Sequence, residues 1–444
     1  MKRISFLVGI AAFFAFLFTP WTAPFTVAED NVIKIGVIGP MKFSHGIATW
    51  TGASIAAEEI NGHGGVTLGD RKYRIELVKS DSNEYLSVTD AISAMEKLIT
   101  VDKVNYILGG FRSEAVFAMQ EVMTDNKILF MSVQAAHPKL CGRIAEDYDK
   151  YKYYFRIGSL NSVYLGELSY AYLALVKEAL KSVLGIEKPR VAIQYEKAVW
   201  ADPIVSTAQK RLPELGFEIV RVGRNSATAT DVTGDLSAIK AADAQIIWSG
   251  GAGPVQNVLP KQWGELEIPA ALVSISSVLP EKKHWEATGG GCNYELGLCP
   301  VGRVAITPKT IPFYDEFHKR IDDYPTTGGG IAAYDWLFVL REAIERARSL
   351  KSDDLVPALE KTDYTGAEGR IVFHPPQHKW PHDAIWGPEY ITYTGAQWQD
   401  QSLEIVWPDG RALWGDERWK GVKFEGTKPY KLPPRMITYW KGKR

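Results

Sequence analysis

Asn105 to Leu140 reads NYILGGFRSEAVFAMQEVMTDNKILFMSVQAAHPKL, a strand, a glycine turn, a helix and a second strand in one run. Tyr106-Ile107-Leu108 is apolar and stops at Gly109-Gly110. Ala115, Ala118, Met119 and Val122 follow the i, i+3, i+4, i+7 spacing of a helix face. Ile128 to Met131 is apolar without alternation, as in a strand covered on both faces. In open α/β sheets, ligands sit beyond the carboxyl ends of strands, where helix N-termini offer free N–H groups. Two such ends fall here, at Gly110-Phe111-Arg112-Ser113 and at Ser132-Val133-Gln134-Ala135-Ala136, which makes the stretch a binding-site candidate.

The same alternation continues outward from it. Ile33 to Ile38 is a strand, and Ala53, Ala56, Ala57 and Ile60 mark a helix ending at Asn61-Gly62. Strands follow at Arg74 to Val78, Arg190 to Tyr195, Phe217 to Val222, Gln245 to Trp248 and Ala270 to Ile275, with helices at about Ser162 to Leu184, Pro203 to Leu215 and Thr233 to Ala242 between them. Such a pattern implies parallel sheets with right-handed crossovers. It divides near Tyr153 to Arg156, which suggests two similar lobes. After about Pro280 the pattern loosens: helices return at Tyr314 to Ile321, Ile331 to Arg348 and Asp353 to Lys361, then strand-like runs at Arg370 to Phe373, Tyr390 to Tyr393 and Leu403 to Trp407. Seven of the 14 tryptophans lie in the last 70 residues, where packing explains them better than a sugar site.

Residues 1–28 read as a secretory signal: Lys2 and Arg3, the apolar run Ile4 to Phe18, then Thr26-Val27-Ala28 with small residues at the −3 and −1 positions before Glu29. The run is shorter than the roughly 20 apolar residues of a membrane span. The expected product is an exported, cleaved chain of about 416 residues with net charge −3, large enough for two or three domains. Nothing in that balance suggests nucleic acid. Of three cysteines, Cys292 and Cys299 flank a short loop that an oxidising compartment could close as a disulfide, leaving Cys141 as a small buried residue.

His374, His378 and His382 are spaced at fours, but Pro375, Pro376 and Pro381 break the helix a metal site would need. Gly250-Gly251-Ala252-Gly253 lacks the full spacing of a nucleotide-binding loop. No Gly-x-Ser-x-Gly elbow is present. The expectation is a protein that is not an enzyme and carries no metal or cofactor.

Several pieces, in order and spacing, resemble the extracytoplasmic solute-binding proteins of the leucine/isoleucine/valine type that serve ATP-driven importers. They are Ile35-Gly-Val-Ile-Gly-Pro40, Gly52-Ala53 opening a helix that ends Glu59-Ile-Asn-Gly-His-Gly-Gly-Val66, Asp81, the Gly109-Gly110 turn with Ser113, Ser132 to Pro138, Ala333-Tyr334-Asp335 and Ile405-Val406-Trp407-Pro408. The resemblance implies a type I periplasmic binding protein: two Rossmann-like α/β lobes joined by a three-strand hinge, with a ligand cleft between them. The lobes would be 31–153 plus 283–362 and 154–282 plus 363–425, with 426–444 as a tail. It implies capture of a small solute by a periplasmic monomer and delivery to the permease of an ABC transporter. The alternative is a receptor that reports solute to a membrane sensor.

Carried over residue by residue, the resemblance places Ser113 on a ligand carboxylate, with the amides of Ala135 and Ala136 beside Gln134 completing that cradle. Trp200 falls where the family has a tyrosine from the second lobe, Ala252 or Gly253 where another aromatic is common, and His45 at the cleft mouth. Ser276 falls where the family has an acid for a ligand ammonium. A buried ammonium without an anion is costly, so a simple α-amino acid is disfavoured unless another acid substitutes. Arg112 beside Ser113 would either suit a carboxylate bidentately or stand as a solvated charge at the cleft rim. The ligand expected is a small organic acid, aromatic or not, or an amide.

Overall fold

The computed structural model describes residues 31–443 apart from 159, 301, 324–326 and 413–415. The expected signal at 1–28 and Trp414 lie outside the described residues.

The first sheet takes β1 (Val32–Gly39), β2 (Val66–Leu68), β3 (Arg71–Asp81), β4 (Tyr106–Gly109), β5 (Phe130–Ser132) and β6 (Tyr154–Arg156), in the order β2-β3-β1-β4-β5-β6. All pairings are parallel except the β2–β3 hairpin. Every residue of β4, β5 and β6 is buried, which is why these strands read as unbroken apolar runs. Gly109 is required where β4 ends: its φ is +134°, and a Cβ there would lie 1.8 Å from the Ile38 carbonyl oxygen. The helix Ser44–Gly62 packs on the helix Thr327–Ala347 so closely that a Cβ on Gly52 would lie 1.8 Å from the Gly330 carbonyl oxygen.

The second sheet takes β7 (Arg190–Glu196), β8 (Glu218–Asn225), β9 (Ile246–Gly251), β10 (Ala271–Ser276) and β11 (Leu296–Cys299). After β12 (Asp363–Thr365) and β13 (Arg370–Val372), which form a small hairpin of their own, β14 (Thr394–Gln399) and β15 (Ser402–Trp407) complete it. The order is β15-β14-β11-β10-β9-β7-β8, antiparallel only at β11–β14 and β14–β15. The helix Ser162–Leu184 has the expected bounds and is capped by the Asn161 side chain, which accepts from the Val163 and Tyr164 amides. Among the described residues no helix is long and apolar enough to cross a membrane.

Two lobes are therefore present, but the expected division is corrected in three places. β6 belongs to the first sheet, so 154–156 is not part of lobe II. β11 lies in the second sheet, so lobe II runs past 282. The segment from β12 to Trp386 packs on lobe I: Ala367 and Glu368 donate backbone N–H to Asp335 at 2.7 and 3.0 Å, and Phe373 stacks on Trp336. The pairing that misled the sequence reading is β11–β14, whose partners stand about 100 residues apart. The chain thus passes between lobes three times: from β6 to the helix Ser162–Leu184, from β11 to the helix Thr310–Ile321, and from Trp386 to β14. Tyr390 to Tyr393, expected as a strand, lies in the third passage just ahead of β14. The tail folds back on lobe II, where Trp440 Nε1 donates to the Pro269 carbonyl at 2.7 Å.

Arg156 and Asp383 tie the passages together. The guanidinium meets the carboxylate through Nε at 2.8 Å and Nη2 at 2.6 Å, with both side chains almost fully buried. Asn161 Nδ2 donates to the same carboxylate at 2.8 Å, joining the start of the lobe II helix to it.

The expected Cys292–Cys299 bridge is not formed; Cys292 is a buried free thiol, as is Cys141. Glu295 closes the turn back onto Cys292, and β11 then runs away from it.

Candidate functional site

Strand order reverses between β1 and β4 in the first sheet and between β7 and β9 in the second. At such switch points neighbouring crossovers leave on opposite faces and open a crevice at the carboxyl ends. The two crevices face each other. Phe111 and Arg112 follow β4; Glu196 ends β7; Gly251 ends β9 and is followed by Ala252.

Between them lies a chamber of about 590 Å³ counted out to its mouth. Its apolar wall includes Phe111, Leu165, Trp200, Ile275, Leu298 and Tyr393. Its polar groups come from Arg112, Ser113, Gln134 and Ser277. Leu165 starts the helix after the first passage between lobes, Pro300 lies on the second and Tyr393 on the third, so the segments that join the lobes also form the chamber's floor.

The structure distributes the expected residues as follows. Ser113, Arg112, Gln134, Ala136, Trp200 and Ala252 line the chamber. Ala135 does not; its carbonyl accepts from Arg156 Nη1 at 2.8 Å, so it positions the loop that carries Ala136. Ser113 Oγ accepts the His137 amide at 3.2 Å, fixing the same loop to the helix Ser113–Asn126. Gln134 Nε2 reaches the His45 carbonyl at 3.3 Å and Thr49 Oγ1 at 3.2 Å. Gly253 stands behind the wall and gives its amide to Glu196 at 3.1 Å.

Ser276 is turned away. Its hydroxyl donates to Gln256 Oε1 at 3.1 Å, in a separate polar recess, and the next residue, Ser277, faces the chamber. His45 is not at an open mouth but in the first turn of the helix Ser44–Gly62, 2% exposed. Its ring bonds Ser277 Oγ at 2.7 Å and the Tyr85 hydroxyl at 3.0 Å. Burial, with the Arg112 charge adding to it, pushes the imidazole down to about 3, so it is neutral at physiological pH.

Three direct contacts bridge the lobes here: His45 to Ser277, Tyr85 hydroxyl to the Ala252 carbonyl at 2.8 Å, and Arg112 Nη1 to Glu196 Oε1 at 3.1 Å. The lobes are closed on each other. Arg112 is neither a solvated rim charge nor an open receptor for a carboxylate, since its Nη2 also meets Glu114 at 3.0 Å. Its backbone amide is held by Glu84 Oε2 at 2.6 Å, beside the Phe111 amide at 3.0 Å. Burial pushes the Glu84 carboxyl up, opposed by hydrogen bonds from Ser82 and from these two amides.

Sequence reading missed Glu196, Tyr85 and Ser277. The one available signal for Glu196 was a carboxylate closing an otherwise apolar strand. Among the described residues no cluster of three or more metal-ligating side chains occurs, and His374 and His378 stack face to face at 3.7 Å rather than converging on a point.

The sequence matches the family described as periplasmic binding protein over residues 32–386. The chain belongs to the periplasmic binding protein family. An amino acid binding protein of Pseudomonas aeruginosa is 25% identical over 283 residues, covering 63% of this chain and 69% of that one. A leucine binding protein of Thermotoga maritima superposes with a TM-score of 0.67 at 21% identity, over 84% of this chain and 97% of that one. A solute binding protein of an ABC transporter from R. palustris, in complex with benzoate, does so with a TM-score of 0.69 at 14% identity, over 84% and 95%. The family is one of binding proteins, and membership implies that this periplasmic binding protein works outside the cytoplasmic membrane.

Proposed function

We propose that this binding protein captures one small organic solute in the chamber between its lobes and delivers it to the permease of an ABC importer. The observation that supports this best is the chamber itself, an apolar space with a few polar groups, walled by both lobes and floored by the segments joining them. Opening the hinge exposes it, and closing it excludes water, which is how a two-lobed protein samples and then retains a solute. The solute class is an acid, an amide or an amino-acid-like compound, with an apolar body against Trp200 and a polar end toward Ser113 and Gln134. Solved structures of this fold hold isoleucine in one case and benzoate in another, an amino acid and an acid of that size. The protein acts as an exported monomer with the signal removed near Ala28, and catalyses no reaction.

The test is uptake. Cells lacking this gene should lose high-affinity import of the solute that raises the purified protein's unfolding temperature, and the intact gene should restore it. Unimpaired import with loss of a transcriptional response to the same solute would favour a sensory role instead.

A further inference from the structure

Glu196, next to the chamber wall, accepts four hydrogen bonds, and its partners divide unevenly between the lobes. Oε2 accepts the amides of Ala252 and Gly253 at 2.8 and 3.1 Å, and Oε1 accepts Trp200 Nε1 at 2.8 Å. All three donors belong to lobe II. The fourth, Arg112 Nη1 at 3.1 Å, is the only one from lobe I. A carboxylate that accepts four hydrogen bonds and donates none is ionised. The anion is therefore assembled within lobe II whether the lobes are open or closed, and Arg112 docks onto it when they close.

That docking decides what charge the chamber can tolerate. Among the described residues that line it, Arg112 is the only charged side chain. Glu196, with its side chain fully buried, neutralises it, and Glu114 adds a second carboxylate at 3.0 Å. No positive charge is left over for a solute carboxylate, which would enter beside two anions and one cation. A buried anion without a partner is strongly disfavoured. An α-amino acid fares no better. The position expected to pair its ammonium is Ser276, which faces another recess, and the four acceptor sites of Glu196 are taken. The other polar side chains at the chamber, Ser113, Gln134 and Ser277, carry no formal charge, and each is of a type with both donor and acceptor groups. His45, which supports Ser277, is neutral too.

We propose that the Arg112–Glu196 pair sets the charge specificity of the cleft, so that the closed protein selects an uncharged small solute, such as a carboxamide, over the matching carboxylate or amino acid. This rests on the solute-capture reading and narrows it. The pair is made from groups of opposite lobes, so it forms only in the closed, ligand-retaining state, where discrimination has its effect.

The experiment is calorimetric titration of the folded protein at pH 7 with matched solutes: benzamide against benzoate, and isovaleramide against isovalerate and leucine. The wild type is expected to bind at least one amide tenfold or more tightly than its acid. In Glu196→Gln the Arg112 charge loses its main counter-ion, so the amide-to-acid ratio should fall at least tenfold. Arg112→Gln, which keeps Glu196, should move the ratio the other way, and it serves if the first variant fails to fold. A wild type that prefers benzoate, isovalerate or leucine overturns the proposal while leaving solute capture intact, as does a ratio unchanged in both variants. No binding of any member, to wild type or variant, overturns capture of solutes of this size and the charge selection with it.

Discussion

Arg156 and Asp383 form a two-pronged ion pair, at 2.8 and 2.6 Å, where the passages between the lobes meet. Around it Arg156 Nη1 also holds the carbonyls of Ala135 and His137 at 2.8 and 3.1 Å, and Asn161 links Asp383 to the first turn of the lobe II helix. One buried pair thus fixes the loop that carries Ala136 into the chamber and the helix that carries Leu165.

Removing one partner leaves a buried charge alone. Asp383→Ala is expected to cost about 3–5 kcal/mol of stability, read from denaturant midpoints at unchanged slope. Asp383→Asn should recover part of that loss through the retained hydrogen bonds. Equal losses in both would show that the charge contributes nothing.

Gly109 has no tolerable substitute. With φ at +134° and the Ile38 carbonyl oxygen 1.8 Å from an added Cβ, Gly109→Ala must part β1 from β4 where the switch point opens. The expected loss is more than the roughly 1–3 kcal/mol usual for overpacking, seen as a failure to fold or a collapse of the unfolding midpoint. Normal stability in this variant would contradict that backbone geometry.

Glu281 introduces a pH dependence. It precedes a lobe II helix and lies at the lobe boundary, hydrogen-bonded to Ser44 and near Asp323 of lobe I. Burial pushes its carboxyl up to about 8; the neighbouring Asp323 adds to this, and Ser44 and Lys283 oppose it. Because the folded carboxyl binds its proton more tightly than the unfolded one, stability should fall as pH rises from the ordinary glutamate range to about 8, then level off. Glu281→Gln should flatten that slope in denaturant titrations between about pH 5 and 8. A wild type whose stability rises across this window, with the variant following it, would refute the assignment.

Cys141 and Cys292 should be inert in the folded protein. Both thiols are buried, and burial pushes Cys292 up to about 12. Without reductant, a thiol reagent is expected to label neither in the native state and both after unfolding, with the sites located by mass spectrometry. Cys292 unlabelled in the unfolded, unreduced chain would restore the disulfide.

Much of this was legible in the chain. Tyr106 to Ser113 announces a buried strand, its glycine stop and the helix start that carries the site, because burial on both faces and a forced positive φ leave strong local marks. Trp200 and Ala252, placed by resemblance, line the chamber. The reading at Ser276 was off by a single step: Ser277 lines the chamber and Ser276 the neighbouring recess, although both hydroxyls donate to Gln256 Oε1, at 2.9 and 3.1 Å. The lobe division failed at β11, whose antiparallel partner β14 is remote in sequence. Glu196 escaped notice because its meaning lies in donors from Trp200, Ala252, Gly253 and Arg112, which only the closed fold brings together.

If the chamber between the lobes holds the solute, thermal unfolding against a panel of amides, carboxylates and amino acids shows it most directly. A bound solute raises the midpoint with the logarithm of its concentration over its dissociation constant. One class should do so in the wild type and fail to in Ala252→Trp, whose added side chain fills the chamber from lobe II. No shift with any member, or a shift undiminished in that variant, would contradict solute capture in the chamber.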